Sequence, residues 1–496
     1  MKSYDVIVVG AGNAGLSAAI AASELGAKTL VLERAPLHLR GGNSYFTGGL
    51  FRFAYNAIED IRSLIPEISD KETENIDVGT YPKNKYYEDV MRVTEGLSDP
   101  MLVEILTSNS FSTMKWLASH KIPWILAYGR QAFEDDGKMK FWGGLILEAV
   151  GAGKGLSDSQ FSALDKLGVD VMYDSRAVSL EMDQKFRVKG VKVRRSKEMI
   201  EINASAVVLA SGGFESNPEM RTRYLGPGWE LAKVRGTQFN TGDGIQMALD
   251  VGAQSFGHWS GCHSVQWDFN SPNFGDRNIA DLFQKHSYPF GILVNIFGER
   301  FLDEGADFRN YTYAKYGREV LKQPQRIAFQ IFDEKTKHLL RDEYNIPQVS
   351  KVIADSIEDL AENIGISPTI LTKTVSEFNN SIVDTTFNPT LLDQKRTEGI
   401  FPPKSNWALP IDTPPYSAFA VTCGITFTFG GLRINSRSQV LENDDNPIDG
   451  LFAAGELVGG LFYHNYPGGA GLMAGSVFGR LAGECAAKDA LKRQVI

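Results

Sequence analysis

Cysteine is scarce in this 496-residue chain, which has only Cys262, Cys423 and Cys485, and these stand far apart. Disulfide frameworks, iron–sulfur clusters and c-type haem attachment sites all need paired or grouped cysteines. The spacing therefore excludes these three kinds of site. We expect the three thiols to be buried and structural, and we expect no metal.

Long runs of lysine or arginine are also missing, and the formal net charge is −9. This balance argues against nucleic acid or an anionic membrane surface as the main partner. No apolar run approaches the length of a membrane span, and the first predicted strand begins within a few residues of Met1, which leaves no room for a leader. We therefore expect no direct membrane span and a soluble, cytoplasmic protein.

Glycine and apolar residues are abundant: the chain has 49 glycines, and 43% of its residues are hydrophobic. A chain of this length can bury a large core and is too long for one ordinary domain. The composition therefore predicts at least two domains.

A glycine-rich turn, Gly10-Ala11-Gly12-Asn13-Ala14-Gly15, lies between the apolar run Val6–Val9 and a helical stretch. An acid, Glu33, ends the next apolar run. In this pattern the glycines allow a tight turn and a close approach of backbone to pyrophosphate, and the acid accepts ribose hydroxyls. Because strand, helix and acid all occur together, the sequence predicts a dinucleotide site.

A second glycine-rich segment, residues 39–49, follows almost at once and suits the extended body of FAD better than a nicotinamide cofactor. The run Ala206–Ala210 reads as a buried strand that ends in a glycine pair, and the polar turn Asn240–Gly244 follows it. Near the C-terminus, Gly450–Glu456 is again a strand that runs into a glycine.

Taken together, these segments resemble the FAD-dependent fumarate reductase and succinate dehydrogenase flavoprotein superfamily over nearly the whole chain. Residues 40–52 and 298–309 are most similar to the tricarballylate dehydrogenase branch. The resemblance implies an α/β fold in which residues 1–257 and 424–496 form a Rossmann-type FAD-binding domain. An α+β capping domain, residues 258–423, is then inserted in the middle, and the site lies between the two.

Position by position, the resemblance implies that FAD is held by residues of seven separate segments. They are Gly10, Gly12, Asn13, Ala14, Gly15, Glu33, Arg34, Gly41, Gly42, Asn43, Ser44, Thr47, Gly48, Gly49, Ala210, Gly212, Asp243, Gly455, Glu456, Gly471 and Leu472. The last two open a helix whose N-terminus would stabilise negative charge on reduced flavin. We expect dissociable FAD, because Gly42 occupies the position of the covalently linked histidine of succinate dehydrogenases.

The superfamily couples hydride transfer at flavin to proton transfer at the neighbouring carbon, so a proton-transfer group and a group that holds negative charge are needed. The resemblance implies that His263 contacts a substrate carboxylate and that Arg309 moves the proton, and Asp307 or Glu304 is the candidate carboxylate partner of Arg309. Arg52 and His464 are further candidates for countering substrate charge. Arginine can take the proton role only in a buried relay, since its pKa is above about 12.

The segment around Tyr466 departs from the fumarate reductases, which have an arginine at the position of Tyr466. Their His-His-Thr-Met-Gly-Gly motif corresponds to residues 426–431 of this chain, so Thr426 stands in place of its first histidine. The turn Tyr466-Pro467-Gly468 instead resembles that of 3-ketosteroid dehydrogenases, where the tyrosine and a following glycine N–H bind a ketone oxygen. The resemblance thus implies an oxyanion site at Tyr466 and Gly469.

Three functions stay open. The enzyme dehydrogenates or reduces a carbon–carbon bond next to a carboxylate or carbonyl, with a small polycarboxylate such as tricarballylate as the favoured substrate. Alternatively, Tyr466 and aromatic residues such as Phe427 and Phe429 serve an apolar ketone, enone or aromatic acid. A third possibility is an electron-transfer subunit without its own substrate. In each case electrons pass to or from a separate carrier or a partner subunit, and the resemblance implies an iron–sulfur partner protein.

Overall fold

The computed structural model describes residues 3–494, and its largest sheet has eight strands. Ser3–Val9 lies at the centre, paired in parallel with the strand that ends at Leu209 on one side and with Thr29–Leu32 on the other. The strands of this central sheet are Ser3–Val9, Thr29–Leu32, Asp170–Met172, Arg176–Met182, Val188–Arg195, Glu198–Leu209, Gln439–Leu441 and Pro447–Ala453.

The register of the central sheet brings the glycine-rich segments together. Val9 pairs with both Leu32 and Leu209, and Leu209 pairs with Ala453. Since these pairs are parallel, the segments that follow the four strands leave the sheet at the same edge. In open α/β sheets ligands bind at this carboxyl edge.

A second sheet of six strands forms the other half of the molecule. Its strands are Lys233–Val234, Ser255–Asp268, Ile292–Asn295, Ala328–Phe332, Lys351–Ala354 and Tyr416–Leu432. The two longest strands are antiparallel partners along their length, from Ser255 opposite Leu432 to Asp268 opposite Val421. The predicted domain boundaries at 257/258 and 423/424 fall inside these strands, and the domain division stays a prediction.

Two small three-stranded sheets flank the site region; their strands are Leu50–Phe51, Trp124–Leu126 and Leu147–Ala149, and Ile76–Asp77, Ala132–Asp135 and Lys138–Phe141. The α-helices are Asn13–Glu24, Ile58–Arg62, Asp70–Glu74, Lys83–Val93, Pro100–Ser119, Tyr128–Gln131, Ala152–Lys166, Pro218–Met220, Asp243–Leu249, Tyr313–Leu321, Ile357–Ile364, Pro368–Asn380 and Ala470–Gln494. Within residues 3–494, every helix is too short or too polar to cross a bilayer.

The first helix and the last helix pack directly on each other and so join the two ends of the chain. A Cβ atom built on Gly479 would lie 2.4 Å from the Ala14 carbonyl oxygen, and one built on Gly483 would lie 2.1 Å from that of Ala18. Asn13 at the start of the first helix donates from Nδ2 to the Leu472 carbonyl over 2.8 Å. The glycines therefore allow the helices to approach closely enough for this bond.

We predict that Gly483→Ala destabilises the protein. The added methyl group would collide with backbone, and overpacking of this kind costs about 1–3 kcal/mol even though alanine favours helix. Urea unfolding measures the change, with Lys488→Ala on the exposed face of the same helix as the control. An unchanged midpoint for Gly483→Ala would show that the two helices do not pack as described.

Candidate active site

One long cavity runs from the carboxyl edge of the central sheet to the second sheet. Its walls come from both ends of the chain and from the middle.

The glycine-rich turn forms the start of the cavity. Gly10 has a φ of +104°, and a Cβ there would lie 2.5 Å from the Ala210 carbonyl oxygen, so only glycine fits. Gly12 is the N-cap of the first helix and has no side chain to satisfy the N–H groups of the first turn. Such a helix N-terminus is suited to bind phosphate.

Glu33 is buried next to this turn. Its carboxylate accepts the backbone N–H of Ala11 at 3.0 Å and that of Ala35 at 2.7 Å. Burial raises the pKa of the Glu33 carboxyl, while these N–H groups oppose the rise. The carboxylate is thus fixed at the cavity wall, where its remaining lone pairs can accept ribose hydroxyls.

Asp243 lies at the same end, between two arginines. It accepts two hydrogen bonds from Arg176, at 2.7 and 2.8 Å, and one from Arg34 at 3.1 Å. Since all three residues line the cavity, this end presents fixed charges on a polar wall. The sequence predicted Arg34 and Asp243 as FAD residues, but it did not predict Arg176, which begins the strand Arg176–Met182.

The second glycine-rich segment packs directly against the first, since a Cβ on Gly42 would lie 3.5 Å from the Gly12 Cα. The Ser44 hydroxyl accepts the Asn13 backbone N–H at 3.0 Å, which ties this segment to the first helix. The Asn43 amide donates to the Thr426 carbonyl at 2.7 Å and accepts the Thr237 N–H at 2.8 Å. Asn43 therefore connects the nucleotide end of the cavity to the second sheet.

Aromatic and polar side chains meet at the other end of the cavity. The hydroxyls of Tyr313 and Tyr466 are hydrogen-bonded to each other. The ring of His263 lies 5.0 Å from that of Tyr313 and 4.9 Å from that of Tyr466, and the Phe427 ring lies 5.2 Å from Tyr466. Burial raises the pKa of both tyrosines, so both hydroxyls are protonated near neutral pH.

Two buried histidines face the same region. Neither ring nitrogen of His263 has a hydrogen-bond partner among the described residues, and the same is true of Nε2 of His286. Burial lowers the pKa of both rings well below the ordinary histidine value, and nearby arginines lower it further. Both imidazoles are therefore neutral, and each can donate one hydrogen bond and accept another.

Arg130, in the helix Tyr128–Gln131, and Arg309, in the short 3₁₀ helix Arg309–Tyr311, both line the cavity. Arg130 donates two hydrogen bonds to Asp281, at 2.8 and 3.3 Å, and lies 3.2 Å from Glu148. Arg309 donates to the Arg130 carbonyl at 2.5 Å, and burial lowers the pKa of its guanidinium. Arg130 is thus fully paired and holds Arg309 in place.

The profile of a family described as FAD binding domain matches residues 5–472. The chain belongs to this family. A probable fumarate reductase of Shewanella frigidimarina is 30% identical over 99% of this chain and 76% of that protein. A 3-oxosteroid 1-dehydrogenase of Mycolicibacterium smegmatis is 28% identical over 97% and 96%, respectively.

A solved structure, the open conformation of a flavocytochrome c3 fumarate reductase, superimposes with a TM-score of 0.72 at 29% identity and covers 99% of this chain and 79% of that chain. The predicted superfamily, the α/β fold and the FAD cofactor are confirmed. This flavoprotein is an FAD-dependent oxidoreductase that acts on carbon–carbon bonds. The tricarballylate branch stays a prediction.

The cavity fits FAD by its own geometry, since the glycine turn, the open helix N-terminus and the Glu33 carboxylate stand in the order that the dinucleotide requires. Most of the predicted FAD residues line it: Gly10, Gly12, Asn13, Ala14, Glu33, Arg34, Gly42, Asn43, Ser44, Thr47, Gly48, Ala210, Gly212, Asp243, Gly455, Glu456, Gly471 and Leu472. His38, four residues before Gly42, is exposed and outside this lining. That position agrees with dissociable FAD, which stays a prediction.

Three predicted FAD glycines lie behind the wall instead. A Cβ on Gly15 would meet the Gly10 carbonyl at 2.0 Å, one on Gly41 would meet the Ser157 hydroxyl at 2.5 Å, and one on Gly49 would meet the Ala152 backbone at 2.7 Å. These glycines shape the turns without reaching the cavity surface.

Of the residues predicted to act on substrate, His263, Arg309, Tyr466, Thr426 and Gly469 line the cavity. The structure thus brings together residues from the second sheet and from the turn before the last helix. Their roles stay predictions.

Glu304 is placed elsewhere, so its pairing with Arg309 needs correction. Its carboxylate is fully buried and binds Arg300, at 2.5 and 3.1 Å, and the Leu293 backbone N–H at 2.8 Å. Glu304 is absent from the cavity lining found within the described chain. The Arg300 guanidinium takes up its charge, and Glu304 stabilises the second sheet.

Arg52 and His464 are also outside the cavity lining, as far as residues 3–494 show. Arg52 is fully buried behind the tyrosine turn and donates from Nε to the Gly468 carbonyl at 2.7 Å and from Nη1 to the Tyr81 hydroxyl at 2.8 Å. His464 packs its ring 4.5 Å from that of His258. Both residues therefore support the turn.

Sequence reasoning missed Arg130, Arg235, Asp281 and His286 as cavity residues. No motif marks them, because they are brought to the cavity by the fold of the second sheet and its flanking segments. One feature of the sequence could have indicated Arg235: it stands only a few residues before the predicted polar turn Asn240–Gly244.

We predict that Glu33→Ala weakens FAD binding by about 10- to 100-fold, because a buried donor left without its acceptor costs about 1–3 kcal/mol and the ribose loses its acceptor as well. Fluorescence titration of the flavin-free protein with FAD measures the dissociation constant. Glu198→Ala, at an exposed carboxylate of the central sheet, is the matched control. Equal affinities for the two variants would contradict the assignment of Glu33.

Proposed function

We propose that this flavoprotein oxidises or reduces the carbon–carbon bond next to the carboxylate of an organic acid whose remaining part is planar and apolar. The observation that carries this proposal is the hydrogen-bonded pair of Tyr313 and Tyr466, enclosed by His263 and Phe427. Bound FAD supplies the hydride chemistry, and the chain supplies proton transfer and charge stabilisation.

Tyr466 is the proposed hydrogen-bond donor to the oxygen on which charge develops. Its hydroxyl is hydrogen-bonded to the Tyr313 hydroxyl, and the Gly469 backbone N–H lowers its pKa against the effect of burial. With Tyr313 donating to Tyr466, the Tyr466 proton is free to be donated into the cavity. A neutral donor fixed in a buried site stabilises a developing oxyanion without reorganisation.

Aromatic side chains favour a planar, apolar substrate. The Phe427 ring lies 5.4 Å from Phe429 and 6.1 Å from Phe462, and all three line the cavity beside Tyr466. Binding to such a wall gains energy from burial of apolar surface rather than from charge.

A small polycarboxylate such as tricarballylate fits less well, although it was the favoured reading of the sequence. It needs several cationic groups that are open to the substrate. Arg52 and His464 lie outside the cavity lining of the described chain, His263 is neutral, and Arg130 is paired with Asp281 and Glu148. An acid with a single carboxylate needs only one cationic anchor. The names of the relatives, a fumarate reductase and a 3-oxosteroid dehydrogenase, cover both an acidic and an apolar substrate.

An electron-transfer subunit without its own substrate is disfavoured by the same cluster. A cavity that only holds flavin does not need a tyrosine pair, nor two neutral histidines whose ring nitrogens are available for hydrogen bonds. We propose that a separate electron carrier, such as an iron–sulfur protein, exchanges electrons with the flavin.

We predict that Tyr466→Phe slows flavin oxidation by substrate about 100- to 1,000-fold, the usual effect of removing one oxyanion donor. The protein is reduced with dithionite without oxygen, and stopped-flow absorbance follows reoxidation by cinnamate, urocanate or fumarate. FAD content is expected to stay at the wild-type level.

Tyr463→Phe is the control, because Tyr463 lies on the same segment but stacks its ring on His258, outside the cavity lining of residues 3–494. We expect it to react at the wild-type rate. If Tyr466→Phe also reacted at that rate, or if neutral ketones reacted faster than every acid, the proposed function would be wrong.

A further inference from the structure

Arg235 follows the short strand Lys233–Val234, and its backbone N–H donates to the Ile425 carbonyl at 2.8 Å. This pairing points the residue from the second sheet into the cavity beside Thr426. Its side chain is 7% exposed. Arg235 is therefore a buried cation at the substrate end.

The contacts of the Arg235 guanidinium are long. Its Nη1 lies 3.5 Å from the Thr426 hydroxyl, and Nη2 lies 3.5 Å from the Gln284 side-chain oxygen and 4.0 Å from Asp281. Among the residues that the structure describes, Nε has no hydrogen-bond partner. Such distances are at or beyond the limit of a useful hydrogen bond.

The nearest carboxylate is already engaged. Asp281 accepts two hydrogen bonds from Arg130, at 2.8 and 3.3 Å, and Glu148 lies against the same arginine. A buried charge without a paired counter-charge is costly, so such charges in proteins are normally paired. Arg130 meets that condition within the chain, whereas Arg235 does not.

The other groups that face Arg235 do not balance its charge. Its positive charge acts on His263, His286, Tyr313 and Tyr466, and lowers the pKa of each of them. Burial keeps both histidines neutral and both tyrosines protonated, so none of the four is an anion near neutral pH. Glu343, a buried carboxylate that also lines the cavity, acts on Arg130 and Arg309. Among the described residues, Arg235 thus has no carboxylate closer than Asp281 at 4.0 Å.

We propose that Arg235 binds the substrate carboxylate and so determines specificity for acids. The inference rests on the proposed function and names the residue that binds the carboxylate. A guanidinium fork can hold a carboxylate through two parallel hydrogen bonds, and neutral His263 can donate a third. This anchor takes over the charge that the arginine at the Tyr466 position supplies in fumarate reductases.

The test compares acids with their amides in Arg235→Met, Arg235→Lys and the wild type. Cinnamate and cinnamamide are titrated into the FAD-loaded protein, and the change in flavin absorption gives each dissociation constant. Truncating one partner of a buried charge pair removes most of the affinity, so we expect about a 100-fold loss for cinnamate in Arg235→Met and little change for cinnamamide.

Arg235→Lys keeps the charge but loses the fork and is expected to lie in between. Arg195→Met removes an equal charge from an exposed position of the central sheet and is expected to bind both ligands like the wild type. If Arg235→Met bound cinnamate as tightly as the wild type, this inference would fail while the proposed function stood. If the wild type bound cinnamamide as tightly as cinnamate, or bound neither, both would fail.

Thermal unfolding without substrate gives an independent answer. Because Arg235→Met removes an unpaired buried charge, we expect its unfolding midpoint to exceed that of the wild type. A lower midpoint would assign Arg235 a structural role and overturn the inference. If Arg235→Met does not fold at all, Arg235→Lys replaces it in the binding comparison, and cinnamate binding by Arg235→Lys at the wild-type affinity would overturn the inference.

Discussion

The parallel pairing of Val9 with Leu32 and Leu209 is the constraint on which the rest of the site depends. It fixes where the glycine turn, the Glu33 carboxylate and the Ala210 turn leave the sheet, and all three leave at one edge. Pairing of Leu209 with Ala453 adds the C-terminal part of the chain. A shift of register by one residue would turn alternate side chains to the opposite face and separate these groups.

The nucleotide end could be predicted from the sequence because each of its parts is a local motif. The glycines from Gly10 onward are required by backbone geometry, and Glu33 follows at a spacing set by one strand–helix–strand unit. The helix Pro100–Ser119 was predictable for a similar reason, since Asp99 caps it by accepting the N–H groups of Met101 and Leu102. Local motifs of this kind can be recognised from the sequence before the fold is known.

The substrate end could be predicted only in part, because it is assembled by long-range pairing. Glu304 is close to Arg309 in sequence, yet the chain turns so that it binds Arg300 instead. Arg235 reaches His263 only through strands that both pair with Tyr416–Leu432. No spacing along the sequence encodes these contacts, and a charged side chain alone does not reveal whether its counter-charge lies within the chain or on a ligand.

The central claim is that one cavity holds FAD with Tyr466 and Arg235 facing its reactive end. A crystal structure of the protein with FAD and cinnamate bound tests this most directly. The account predicts the adenosine between Glu33 and Asp243, the flavin ring beside Gly471 and Leu472, and the cinnamate carboxylate on Arg235. Density that placed the ring away from Tyr466, or the carboxylate away from Arg235, would contradict it.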